Sequence, residues 1–184
     1  MVTRFGQVSE AWARRHPLSH FAQAGVVLQG RLTALDLPRL AREEGVELVS
    51  DVEARVQALD RRGEVEQTRS GFTVAVKASL RLTCQSCAAS FLHEAVSVST
   101  LWVACDEAEL LRWEREAVAG DFEEPASAEE VVHSAADFEV LLAHEEASAR
   151  DLVEDELLLA LPTVPRCRDC SAAPAPRRYS FSSV

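Results

Sequence analysis

The sequence predicts an α+β fold. It reads as an antiparallel β-meander, or partly open barrel-like sheet, with helices. Zinc-ribbon-like C-x-x-C pairs join a hairpin of that sheet to the C-terminal helix. Three observations predict this. Apolar and polar residues alternate with a period of two through successive runs between residues 46 and 104. At Asp106 the period changes to that of a helix. Two C-x-x-C pairs, Cys84/Cys87 and Cys167/Cys170, lie one between two of the runs and one beyond the last helix.

The elements follow in order. Residues 1–24 form an N-terminal arm, and a single domain spans 25–170. Val26, Leu28, Gly30, Leu32 and Ala34 share one parity, as in a half-buried strand. Asp36 can cap a short helix through "LPRLAREE", with Pro38 in its first turn and Gly45 as its stop. From Val46 the alternation returns and puts Val46, Leu48, Val52, Ala54, Val56 and Ala58 on one face. Phe72, Val74, Val76, Ala78, Leu80 and Leu82 make the cleanest strand. A third follows, with Leu92, Val96, Val98, Trp102 and Ala104 expected to face inward. A period of two sustained over about ten residues does not suit a helix.

An acidic helical part spans 106–161. Asp106 caps a helix through "DEAELLRWEREAVAG", Glu109 completes a capping-box pattern, and Gly120 ends it. "VVHSAADFEVLLA" fits strand and helix equally. Ala149, Val153, Leu157, Ala160 and Leu161 share a helical stripe within 147–161. The triplet Glu154, Asp155 and Glu156 reads as the solvated face of that helix. Residues 171–184, rich in Ala, Pro and Ser, are expected to be a disordered tail.

The cysteines carry the chemistry. A thiol pair at a hairpin end is the usual half of a zinc ribbon, because the turn's N–H groups can donate to sulfur. Pro162 cannot continue the helical ladder, and Val164 before Pro165 is biased to extended backbone. The stretch 163–165 is thus expected to be a stiff extended strut, delivering Cys167 and Cys170 to Cys84 and Cys87. Zinc held by four thiolates would fasten the C-terminal helix to the sheet. Thioredoxin-like redox chemistry instead favours a thiol at a helix N-terminus, which neither pair offers. Cys105 reads as a small buried hydrophobe at a strand end. His16, His20, His93, His133 and His144 show no metal spacing, and no phosphate loop or dinucleotide fingerprint is present.

The net charge is −11, unevenly spread. Residues 106–156 hold 18 Asp/Glu against 3 Arg, whereas residues 1–42 hold 6 Arg against 2 acids. No apolar run approaches the roughly 18 residues of a membrane span, and the N-terminus lacks a signal-peptide core. The expected location is cytoplasmic, with no membrane partner and no small-molecule substrate.

Two strings carry a resemblance: "LTCQSC" after a strongly alternating strand, and "VEDELLLALPTVP" from Val153 to Pro165 followed by thiols. They resemble the YceD family, bacterial proteins tied to accumulation of large-subunit ribosomal RNA. The resemblance spans about residues 25–170. Family members often carry His near the position of Cys167, and the acidic helix around Trp113 diverges. The resemblance implies a non-enzymatic role in synthesis, processing or stability of 23S RNA and in large-subunit assembly. The expected partner is a basic ribosomal protein, an assembly factor or the precursor RNA. Protein contact would use Glu114, Glu116, Glu123 and Glu124, and RNA contact Arg81, Arg166 and Arg168. The alternative is a zinc- or thiol-dependent enzyme, either a redox protein or an RNA hydrolase.

Overall fold

The structure is a computed structural model and describes residues 10–23, 25–59, 69–119 and 139–171. In chain order the elements begin with α1 (Glu10–Ala13), β1 (Arg15–Pro17), α2 (Leu18–Phe21) and β2 (Val27–Leu32). Next come β3 (Val46–Leu48), β4 (Val52–Ala58), β5 (Ser70–Thr83) and β6 (Ser90–Ala104). The order closes with α3 (Glu107–Ala119), β7 (Glu139–Leu142), β8 (Glu146–Ser148), α4 (Ala149–Leu159) and α5 (Arg168–Ser171). The main sheet has the order β2-β4-β5-β6-β7, with β3 also on β5, and does not close into a barrel. All its pairings are antiparallel except β6–β7.

The single strand expected from Val46 is two strands on the same side of β5. Leu48 pairs with Leu80, and Glu53 with Lys77. Four residues on one strand therefore face two on the other, a two-residue bulge. Ser50 fills it: its Oγ accepts from the Ser79 N–H at 3.2 Å, while the Val49 N–H donates to the Ser79 carbonyl at 2.9 Å. An even insertion preserves side-chain parity, which is why the alternation runs unbroken through it.

Even-numbered β5 residues line the core, from Phe72 to Leu82. The β5–β6 register sets them opposite odd-numbered β6 residues, Ala78 to Ala95 and Leu82 to Phe91. The inward set expected for β6 is thus on the wrong face. Phe91, Ala95, Leu101 and Val103 join the core, whereas Leu92 and Val96 are 66% and 64% exposed. Trp102 and Ala104 are buried, but against Trp113 of α3 on the opposite face. Gly71 is required there: a Cβ would come within 2.8 Å of the Leu101 carbonyl oxygen and 2.9 Å of the Trp102 ring.

Residues 37–44 do not form the expected α-helix. Two 3-10 turns, Ala34–Asp36 and Leu40–Arg42, flank Pro38. The Asp36 carboxylate bends back to the Thr33 N–H at 2.8 Å, so it closes the first turn and starts no helix. Gly45 (φ +76°) then turns the chain into β3. The acidic part 106–161 is interrupted by β7 and β8. Asp106 does cap α3, its Oδ1 accepting from the Glu109 N–H at 2.8 Å. Gly120 lies outside the described residues.

Trp12, Leu18 and Phe21, from the stretch read as an arm, are buried in the main core with Leu152, Val153 and Leu157 of α4. Ser148 and Asp151 form a capping box at the start of α4. The acidic triplet is no solvated face. Glu154 is 1% exposed, and its carboxylate accepts from the Arg39 N–H (2.6 Å), the Leu40 N–H (3.0 Å) and Arg39 Nε (3.0 Å). Arg39 Nη1 also donates to Asp155 at 2.5 Å, and Glu156 is buried as well. A buried carboxylate is tolerated when its lone pairs are filled in this way. Glu154 ties α4 to the 37–42 turns and fixes the helix from which the C-terminal thiols depart. The expected tail beyond Ser171 lies outside the described residues.

Candidate metal centre

The β5–β6 ladder runs from Ser70↔Val103 to Thr83↔Ser90, leaving residues 84–89 as the hairpin turn. The Cys84 N–H donates to the Ala89 carbonyl at 2.9 Å, and the Ala88 N–H to the Cys84 carbonyl at 2.8 Å. Ala88 has φ 57°, the left-handed conformation that lets the chain turn back after Cys87. The turn is thus a closed knuckle folded over its own first cysteine.

The second pair forms a similar knuckle. α4 stops at Leu159 with Ala160 as its C-cap, and the chain bends at Thr163 and Val164 rather than running straight. The Pro165 carbonyl accepts from the Gln85 N–H at 2.9 Å, docking this segment on the hairpin turn. The Cys167 carbonyl then accepts from the N–H groups of Cys170 (3.1 Å) and Ser171 (2.9 Å), so Cys167 stands at the N-terminus of the one-turn helix α5, against the expectation that neither pair offers such a thiol.

The four Sγ atoms lie within 4.8 Å of one another. Cys84 is 1% exposed, Cys167 and Cys170 are half-buried and Cys87 is exposed. The Cys87 and Cys167 sulfurs, one from each pair, are 3.7 Å apart. Four thiolates about 2.3 Å from one ion would sit about 3.8 Å apart along a tetrahedral edge. The donor set and its spacing fit a metal ion; the widest separation would contract by about 1 Å on ligation.

The electrostatics favour the thiolate at Cys84 and oppose it at Cys87 and Cys170. The Cys167 N–H, then those of Ser86 and Cys87, pull the Cys84 thiol down to about 6 against the opposing effect of burial. Cys170, sharing hydrogen bonds with Cys167, Cys87 and Cys84, is pushed up to about 12. The Ala89 N–H favours the Cys87 thiolate, yet the neighbouring thiols raise Cys87 on balance. Amide donors around sulfur are the outer shell that stabilises a metal-bound thiolate.

Cys105 is not the expected buried hydrophobe. It is exposed just past β6, its N–H donating to Glu109 Oε2 at 2.8 Å, and the Glu109 charge raises its thiol. Arg166 and Arg168 are exposed on either side of Cys167, while Arg81 is held by Glu47 at 2.7 Å. Glu114 is exposed on α3. The Glu116 side chain, Glu123 and Glu124 lie outside the described residues. Among the described residues no helix is long and apolar enough to cross a membrane. What residue types alone do not reveal is the amide donors and the Gln85–Pro165 contact; the short C-x-x-C spacing is the signal that announces such a knuckle. Comparison with protein-family models, curated proteins and solved structures finds no match.

Proposed function

We propose that Cys84, Cys87, Cys167 and Cys170 hold one zinc ion as a structural staple, and that the protein acts by binding rather than catalysis. The observation that carries this reading is the clustering of four thiols from two distant knuckles, with backbone amides aimed at sulfur. Four protein ligands would complete the tetrahedral shell, whereas catalytic zinc keeps one position for water or substrate. Zinc would supply cross-linking and charge neutralisation there. This chain's own residues hold the cluster together: Gln85 through Pro165, and α4 through Glu154 and Arg39.

The cellular role we propose follows the YceD-like strings: support of 23S RNA accumulation and large-subunit assembly. A net charge of −11 opposes nonspecific RNA affinity, which depends on releasing counterions to basic surfaces. We therefore favour a basic ribosomal protein or assembly factor as the direct partner. The exposed pair Arg166 and Arg168 supports a second reading, in which precursor RNA is touched beside the thiols. Affinity recovery from cell extract with and without ribonuclease separates the two. Nuclease-resistant recovery of a basic protein supports the adaptor reading. Recovery of precursor RNA lost on nuclease treatment supports direct contact. Failure to recover any large-subunit component contradicts both.

A further inference from the structure

A cavity of about 320 Å³ opens between α1, the β1–α2 segment and the start of β2, away from the cysteines in sequence. Its wall includes Glu10, Arg14, His16, His20 and Phe21. The His16 and His20 rings are stacked, with centroids 4.2 Å apart and planes 17° from parallel. Neither imidazole, nor the Arg14 guanidinium, has a side-chain hydrogen bond or ion pair among the described residues. The stack is fixed from behind: Phe21, 1% exposed, stands edge-on to both rings. His16 is also held by its β1 pairing to Ala147.

The stack places both imidazoles on one wall of the cavity. Both can donate only if both are protonated or share a suitable tautomer, and two stacked imidazolium rings repel. A guanidinium on the same wall adds to that repulsion and matches oxoanion geometry. We propose that this pocket is a binding site for a phosphate-type oxoanion, held by Arg14, His16 and His20. The anion would accept from both imidazoles and from the guanidinium, and its charge would offset the repulsion between stacked imidazolium rings. Burial, then His20 and Arg14, hold His16 below its ordinary range. The opposing acids are Glu10 on α1 and Glu146 on β8. Anion binding is therefore coupled to proton uptake and tightens as pH falls.

Sulfate is the probe, because its charge stays constant across the range tested. The experiment follows the histidine C2–H resonances of the full, reduced, metal-loaded chain at constant ionic strength. Sulfate should shift His16 and His20 together and leave the other histidines unmoved. Its affinity should be at least about tenfold higher near pH 5.5 than near pH 8. Arg14→Gln, at an exposed bend between α1 and β1, should weaken it at least about fivefold. No shift of either resonance at tens of millimolar sulfate overturns the proposal. So does an Arg14→Gln chain that binds like the parent, or an affinity independent of pH. His20→Asn is the second variant; if it fails to fold, Arg14→Gln alone decides. A short oligoribonucleotide then identifies the source: competition with sulfate supports an RNA phosphate, and lack of competition supports a free oxoanion. The outcome is independent of zinc content, measured on the same sample.

Discussion

Glu154→Leu should destabilise the protein far more than an acidic helical triplet suggests. The carboxylate is 1% exposed and accepts three hydrogen bonds, two from the backbone of Arg39 and Leu40. Leu fills most of the space but leaves two N–H groups without partners. The Leu40 N–H is buried, and each lost acceptor costs about 1–3 kcal/mol. The Arg39 side chain is 45% exposed and turns to water or to Asp155, so its ion pair adds little. The total is about 3–5 kcal/mol, on the order of 10 °C in Tm for a chain of this size. Arg39→Ala leaves both backbone donors paired and should cost only about 1–2 kcal/mol. The assay is urea unfolding of both variants, reduced and metal-loaded, beside the parent. Equal losses for the two variants, or a Glu154→Leu loss below about 1 kcal/mol, would refute the view that the carboxylate closes the 37–42 turns.

Three further outcomes are expected. Ala88→Gly relieves a left-handed alanine (φ 57°) in the first knuckle and should raise stability by up to about 1 kcal/mol, seen as slower metal loss to a chelator; faster loss would mean that Ala88 is not strained. Gly71→Ala, whose Cβ would press on the Leu101 carbonyl and Trp102, should cost about 2–4 kcal/mol in thermal unfolding, and a neutral result would contradict the packing of α3 on the outer face. Leu92→Ser and Val96→Thr should each cost less than about 0.5 kcal/mol in the same assay, whereas Phe91→Ala should cost several-fold more. The reverse order would restore the face that simple alternation predicts.

The strand content of the sheet was legible because burial on one face leaves a parity signal. β5 carries it cleanly, and the two-residue bulge between β3 and β4 does not disturb it. β6 misleads for a physical reason. Apolar residues occur on both its faces, so parity cannot choose between them. The register set by the cysteine turn chooses, and it puts Leu82 opposite Phe91. The 37–44 stretch misleads differently, since Asp36 is both a helix cap and a turn closer, and Thr33 decides for the turn. Glu154 is invisible in sequence because its donors lie 114 and 115 positions away. Trp12 and Phe21 look like part of a short arm until the core they fill is built. The candidate centre was the most legible feature. C-x-x-C spacing is local, and a knuckle needs little beyond its own few residues.

The central claim is that two knuckles share one zinc ion. X-ray absorption at the zinc edge, on freshly purified reduced protein with metal content measured alongside, tests it most directly. The account predicts about one zinc per chain, a first shell of four sulfurs at about 2.3 Å and no nitrogen or oxygen neighbour. Cys167→Ser should then reduce the sulfur count and loosen the metal. A metal-free protein with its thiols intact, a disulfide within either pair, or a shell containing water oxygen would contradict the staple.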